Sequence, residues 1–155
     1  MAIFPISQRP ECIEEISDWH YQEWRHLYPS LTRDDFRRDI QDSLESGLIP
    51  GTWVLEKDGQ IIGTASLQAD IIERRSVKSP WLSNVYIRED YRGQGLGRSM
   101  VQQVLEQLAG SGLEQLLLYT EDQPDFYAAL GWELVSTESY QDKQLHLMRY
   151  RFTAD

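Results

Sequence analysis

The chain has 155 residues, with fifteen Lys and Arg against twenty-five Asp and Glu, a net charge of −10, and 41% hydrophobic and 11% aromatic residues. This length and composition predict one packed domain over residues 1–155 rather than a disordered chain. The acidic balance argues against non-specific binding to nucleic acid or to an anionic membrane and favours cationic partners such as amines, although a local basic site can still take a polyanion.

Residues 1–10 lack the charged start and long apolar core of a signal peptide, and no apolar run nears the ~18 residues that span a bilayer, so a cytoplasmic protein is expected. Ile3, Phe4 and Ile6 predict a first strand, ended by Ser7-Gln8-Arg9-Pro10. Pro10 and Glu11 suit the first turn of a helix, because proline there loses no needed N–H and the carboxylate favours the positive helix end. Ile13, Ile16, His20, Trp24 and Leu27 then recur at helical spacing, up to about Pro29. Cys12, the only cysteine, permits no intramolecular disulfide and no cysteine-based zinc cluster, as fits a reducing compartment. Thr32 and Asp35 resemble a capping box, and Phe36, Ile40 and Leu44 mark one face of a second helix that stops before Gly47.

Asp58-Gly59 suits a two-residue type I′ turn, predicting a hairpin of strands 52–57 and 60–69. The charged segment 73–79 reads as a loop and 81–87 as the next strand. After a glycine cluster, Leu96, Met100, Val101, Val104, Leu105 and Leu108 form the clearest helical stripe, stopped by Gly110 and Gly112. Residues 116–119 predict a short buried strand, 126–130 one or two helical turns, and 132–136 and 144–152 the last strands. The order is β-α-α-β-β-β-α-β-α-β-β, with no repeat and no linker.

Arg92-Gly93-Gln94-Gly95-Leu96-Gly97-Arg98 lies between a strand and this helix, where unpaired N–H groups attract phosphate oxygens and glycines let them approach the main chain. Arg92 and Arg98 add charge, although a plain structural turn has the same appearance. A dinucleotide fingerprint requires Gly-x-Gly-x-x-Gly, whereas the glycines here fall at 93, 95 and 97. A Walker A loop requires Lys-Ser or Lys-Thr after its last glycine, and here Arg98-Ser99 follows without the second glycine at the required distance.

Arg92-x-x-Gly95-x-Gly97, preceded by Val85-Tyr86-Ile87 and Tyr91, is similar to the phosphate-loop signature of the N-acetyltransferase (GNAT) superfamily. Phe126-Tyr127-x-x-Leu130-Gly131-Trp132 resembles the family's second motif. The resemblance implies an α/β (α+β) fold with a mixed, mostly antiparallel central sheet flanked by helices. It implies that residues 92 to 98 hold the pyrophosphate of acetyl-coenzyme A, mostly through main-chain N–H groups. Val85, Tyr86 and Ile87 would pair with the pantetheine arm from a strand splayed by a bulge, and a main-chain N–H near Val85 would stabilise the thioester oxygen. Phe126 would join the cofactor contacts, and Tyr127 would protonate the departing thiolate. Simple core packing is the competing reading for Phe126, Tyr127 and Leu130.

In the histone-modifying branch a glutamate early in the strand before the glycine loop is the general base; the corresponding position here is Trp81. Glu23, Glu73, Glu121, Asp122, His20 and His146 remain as candidates beside a water relay, and Glu121, Asp122 and Gln123 stand where the family often has an asparagine. The resemblance directs acceptor choice to the first two helices and to the loop at 73–78, which carries Arg74, Arg75 and Lys78. Trp19, Tyr21, Trp24 and Tyr28 would line a cleft for a cationic amine or else pack in the core.

The expected activity is therefore metal-free acetyl transfer to a primary amine by direct attack in a ternary complex, with a small-molecule acceptor favoured and a peptide or protein amine second. Cys12 lies far from the motifs and offers no obvious nucleophile. A non-catalytic acyl-coenzyme A-binding sensor or regulatory module is the alternative. Homodimers are common in the family, but the sequence carries no evident interface.

Overall fold

The computed structural model describes residues 1–44, 48–69, 80–140 and 142–152. Among these residues seven strands form one sheet: β1 (Ala2–Pro5), β2 (Gly51–Lys57), β3 (Gln60–Gln68), β4 (Trp81–Ile87), β5 (Gln115–Thr120), β6 (Glu133–Tyr140) and β7 (Lys143–Arg151). Their spatial order is β1-β2-β3-β4-β5-β7-β6, and every neighbouring pair is antiparallel except β4 with β5. The helices are α1 (Ile13–Trp24), α2 (Arg33–Asp42), α3 (Leu96–Leu108) and the short α4 (Pro124–Ala128).

The alternation along β2 separates the core into two layers. Val54 points with Ile6, Ile13, Ile16 and Ile40 into the layer under α1 and α2. Trp53 and Leu55 point the other way, among Met100, Val104 and Leu108 of α3 and Tyr127 of α4. Asp58 and Gly59 take positive φ of 55° and 77° and close the predicted hairpin. At Thr32 the capping box is complete, the hydroxyl accepting from the Asp35 N–H and the Asp35 carboxylate accepting from the Thr32 N–H.

Ile6 lies in a 3-10 turn after β1, Pro10–Cys12 form a 3-10 turn before α1, and α2 stops short of Leu44; three further boundaries also differ from the sequence reading. The first helix ends at Trp24 rather than near Pro29, because the bonding tightens to a three-residue step, Leu27 N–H to Trp24 C=O at 3.0 Å, and the chain turns to bury Leu27. The short helix begins two residues early because Pro124 supplies a preset first turn. Strand β6 continues through the polar residues to Tyr140, since an edge strand with an exposed face needs no apolar alternation to stay paired with β7. The loop predicted at 73–79 lies outside the described residues. Among them, no helix is long and apolar enough to cross a membrane.

Candidate active site

Strand β4 pairs with β3 on one side, but on the other it meets β5 only through Trp81 and Leu117, supported by the Leu117 N–H to Pro80 C=O bond of 3.1 Å. A bulge accompanies this divergence. Between the Thr64/Tyr86 and Ser66/Ser83 pairs, one residue of β3 faces two of β4, Asn84 and Val85. Asn84 is left-handed, with φ of 52°. Its carbonyl accepts from the Thr64 hydroxyl at 2.7 Å and its side-chain amide donates to Ser66 Oγ at 3.1 Å. Beneath them, His20 Nε2 lies 2.8 Å from Thr64 Oγ1. Burial pushes the pKa of His20 down to about 3, so the imidazole is neutral.

Past β4 the chain turns into α3 through Gly93 and Gly95, both left-handed, with φ of 79° and 78°. No atom lies within 4 Å of where a Cβ would stand at either position, so conformation demands these glycines and the space above the main chain is open. The first N–H groups of α3 have no partner within the helix, and no acidic side chain occupies its first turn. Arg92 is held firmly. Its Nε donates to the Ile87 carbonyl at 2.7 Å, its Nη2 pairs with Glu23 at 3.1 Å, and the guanidinium lies 5.1 Å from the Tyr86 ring centre.

The splayed strands, the glycine turn and α4 enclose one cavity of about 940 Å³. Val85, Tyr86, Ile87 and Arg92 line it, as do Gly93, Gly95, Leu96, Gly97 and Arg98 of the turn and Phe126 and Tyr127 of α4. Gln94 is exposed and stands outside this lining. Tyr127 is buried edge-on between Phe126 and Trp132, at ring distances of 5.0 and 5.8 Å. Its burial, followed by the Asp122 carboxylate, raises the phenol pKa, so the hydroxyl keeps its proton at neutral pH.

The candidates for proton acceptance scatter. Glu23, Glu121 and Asp122 line the cavity, with Glu121 paired to His26 at 3.0 Å. His20 sits behind β4 rather than in the lining, and His146 lies on β7 against Thr137 at 3.2 Å. Glu73 lies outside the described residues. Trp81 is fully buried, stacks on Tyr119 at 5.3 Å, and leaves its indole N–H without a partner. Of the four aromatics in or after α1, Trp24 and Tyr28 line the cavity. Trp19 stacks on Tyr86 at 5.4 Å and Tyr21 packs against Phe36 at 5.9 Å.

Sequence reasoning missed Asp39. It faces the cavity from α2 and accepts from Gln68 Nε2 at 2.9 Å, while Gln68 Oε1 accepts from the Ser83 hydroxyl at 2.7 Å. Gln68 is the register partner of Trp81, so this carboxylate approaches the region of the family's glutamate from a different element. Asp39 is exposed to solvent, and partial desolvation, together with the Asp42 and Asp35 carboxylates, raises its pKa. Its place between Phe36 and Ile40, beside the apolar stripe of α2, was the available signal.

The profile described as "Acetyltransferase (GNAT) family" matches residues 13–132. N-acetyltransferase 8 of Rattus norvegicus is 26% identical over 125 residues, covering 78% of this chain, which spans only 55% of that relative's length. Among solved structures, an aminoglycoside 6'-N-acetyltransferase complexed with coenzyme A superposes with TM-score 0.77 at 14% identity, covering 100% of this chain and 99% of the other. The ribosomal-protein-alanine N-acetyltransferase from Brucella melitensis does so with TM-score 0.74 at 17% identity, covering 97% and 99%. These two likenesses are of fold.

Proposed function

Because the chain belongs to the acetyltransferase (GNAT) family, we propose that it moves an acetyl group from acetyl-coenzyme A to a primary amine, small-molecule acceptors first and peptide or protein amines second, by direct attack with both substrates bound. The observation that carries this reading is the parting of β4 from β5 beside the uncapped start of α3, both opening into one cavity. The exposed strand edge suits an extended amide-bearing arm, and the helix start with its two left-handed glycines suits a pyrophosphate.

Acetyl-coenzyme A supplies the activated acetyl group. A main-chain N–H near Val85 donates to the acyl oxygen as negative charge gathers there. Tyr127, kept protonated by burial, gives its proton to the departing sulfur. We assign proton removal from the acceptor ammonium to Asp39 acting with cavity water, since it faces the cavity from α2, is held by Gln68 and has a raised pKa. Asp42 and Asp122 also line this space, as do Glu23, Asp35 and Glu121, which pair with Arg92, Arg38 and His26, and with Trp24 and Tyr28 the acidic residues favour a cationic acceptor. Two structural neighbours are named for an aminoglycoside and for a ribosomal protein's alanine, and both acceptor classes therefore stand in this reading.

The second reading is a non-catalytic acyl-coenzyme A-binding module, favoured by Trp81, which cannot take a proton. Thermal unfolding with acetyl-coenzyme A, NAD, ATP or no ligand, followed by thiol release with polyamines, aminoglycosides and peptides, separates the two. Selective stabilisation of ~2.7 kcal/mol at 100-fold excess over Kd, with thiol release for one amine class, is expected. Stabilisation without release for any amine supports the module. No shift with acetyl-coenzyme A rejects both readings.

A further inference from the structure

We propose that His20, acting through Thr64, is a positioning residue that fixes the β4 bulge at Asn84 and so aims the main chain of Val85 at the acyl group. The proposal rests on the acyltransferase reading above. A left-handed asparagine in mid-strand turns its carbonyl out of the ladder, and even a half-buried carbonyl without a partner is costly. The Thr64 hydroxyl supplies the partner at 2.7 Å.

A hydroxyl has one proton. With that proton directed at Asn84, the 2.8 Å contact between Thr64 Oγ1 and His20 Nε2 requires the proton of that contact to sit on the imidazole. Donation therefore runs one way, from His20 to Thr64 to the Asn84 carbonyl, each bond polarising the next. His20 is 1% exposed and stays neutral down to about pH 3, so the ring is held as the tautomer with its proton on Nε2.

The same ring also holds the other side of the bulge. It meets Tyr86 edge-on at 6.3 Å, and Tyr86 is held in turn by Trp19 at 5.4 Å and by Arg92 at 5.1 Å. Asn84 is thus gripped by hydrogen bonds and Tyr86 by rings, with Val85 between them. A buried histidine used only as filler requires none of this directionality.

Three variants test the inference: His20→Leu, which fills the space without a donor; Thr64→Val, which keeps the shape and removes the hydroxyl; and His20→Gln, which restores an N–H donor of similar reach. In ligand-free protein, hydrogen exchange over residues 81–91 is expected to quicken about tenfold in the first two, in keeping with loss of one buried bond, with α3 unchanged. With acetyl-coenzyme A and an accepted amine, kcat falls at least about tenfold while the KM for acetyl-coenzyme A moves less than about threefold, and His20→Gln recovers most of both losses.

Wild-type exchange and kcat in His20→Leu and Thr64→Val would overturn the proposal. So would uniform quickening across the chain with His20→Gln as impaired as His20→Leu, which marks an ordinary core residue. If the wild-type protein neither binds acetyl-coenzyme A nor releases thiol, the acyltransferase reading fails, and the exchange data still decide whether His20 holds the bulge.

Discussion

The burial that orients the Tyr127 ring also determines what its hydroxyl can do. Phe126 and Trp132 hold the ring edge-on, and the raised pKa keeps the phenol in its protonated form at neutral pH. Tyr127→Phe keeps the packing and removes the donor, so kcat is expected to fall about a hundredfold, with the KM for acetyl-coenzyme A and the unfolding midpoint little changed, as steady-state kinetics and calorimetry would report. Unchanged thiol release would remove Tyr127 from the chemistry. His20 makes a different pH prediction. Unfolded, it takes a proton near 6.5; folded, only at about 3. The unfolded chain binds more protons in that window, so this contribution to stability is complete above 6.5 and disappears as pH falls toward 3. With Thr64, Trp24 and Tyr86 around the ring, no carboxylate in these contacts offsets the effect. Between pH 7 and about pH 4.5 the wild-type chain should lose roughly 2 kcal/mol more than His20→Gln in denaturant titrations. Tyr127 and the glycines were legible because each sits in a short motif. His20 was read only as a possible base, because its partner Thr64 lies 44 positions away. Asp39 was passed over because its place between Phe36 and Ile40 is its one local signal and its contact with Gln68 lies 29 positions away.

Helix α2 carries Phe36 and Asp39 to the cavity, and its start depends on Thr32. Replacing Thr32 by Ala removes the acceptor for the Asp35 N–H and should cost about 1 kcal/mol, lowering the melting temperature by ~2–4 °C. Acetyl-coenzyme A affinity should hold, since α2 borders the acceptor space rather than the glycine turn; a matching loss of affinity in calorimetry would contradict that division. The capping box, the Asp58-Gly59 hairpin and the stripe of α3 could all be read in advance because each is decided within a few residues. The bulge could not be located from local residues. The family resemblance implied one, but its position depends on Thr64 and Ser66 of β3 receiving a left-handed asparagine, and Asn84 carries no glycine to announce it. The full length of β6 was hidden for a related reason, since pairing with β7 rather than burial keeps its polar end in the sheet.

For the molecule as a whole, a net charge of −10 acts oppositely on the two proposed substrates. Acetyl-coenzyme A is a polyanion, and of the two arginines at its end of the cavity Arg92 is already paired with Glu23. Its capture then depends on contact with main-chain N–H groups, working against long-range repulsion. A cationic amine is drawn instead toward the carboxylates that line the same cavity. The screening length falls from ~30 Å at 0.01 M salt to ~8 Å at 0.15 M, which weakens both long-range effects and leaves the short-range contacts. Raising salt over that range should therefore raise the KM of a dicationic acceptor several-fold while the KM for acetyl-coenzyme A stays level or falls. A monocationic acceptor of similar size should shift less, because the steering energy scales with its charge. If the KM for acetyl-coenzyme A rose, the arginine end would outweigh the acidic surface; if the KM of the dicationic acceptor stayed level, the preference for a cationic acceptor would lose its electrostatic basis.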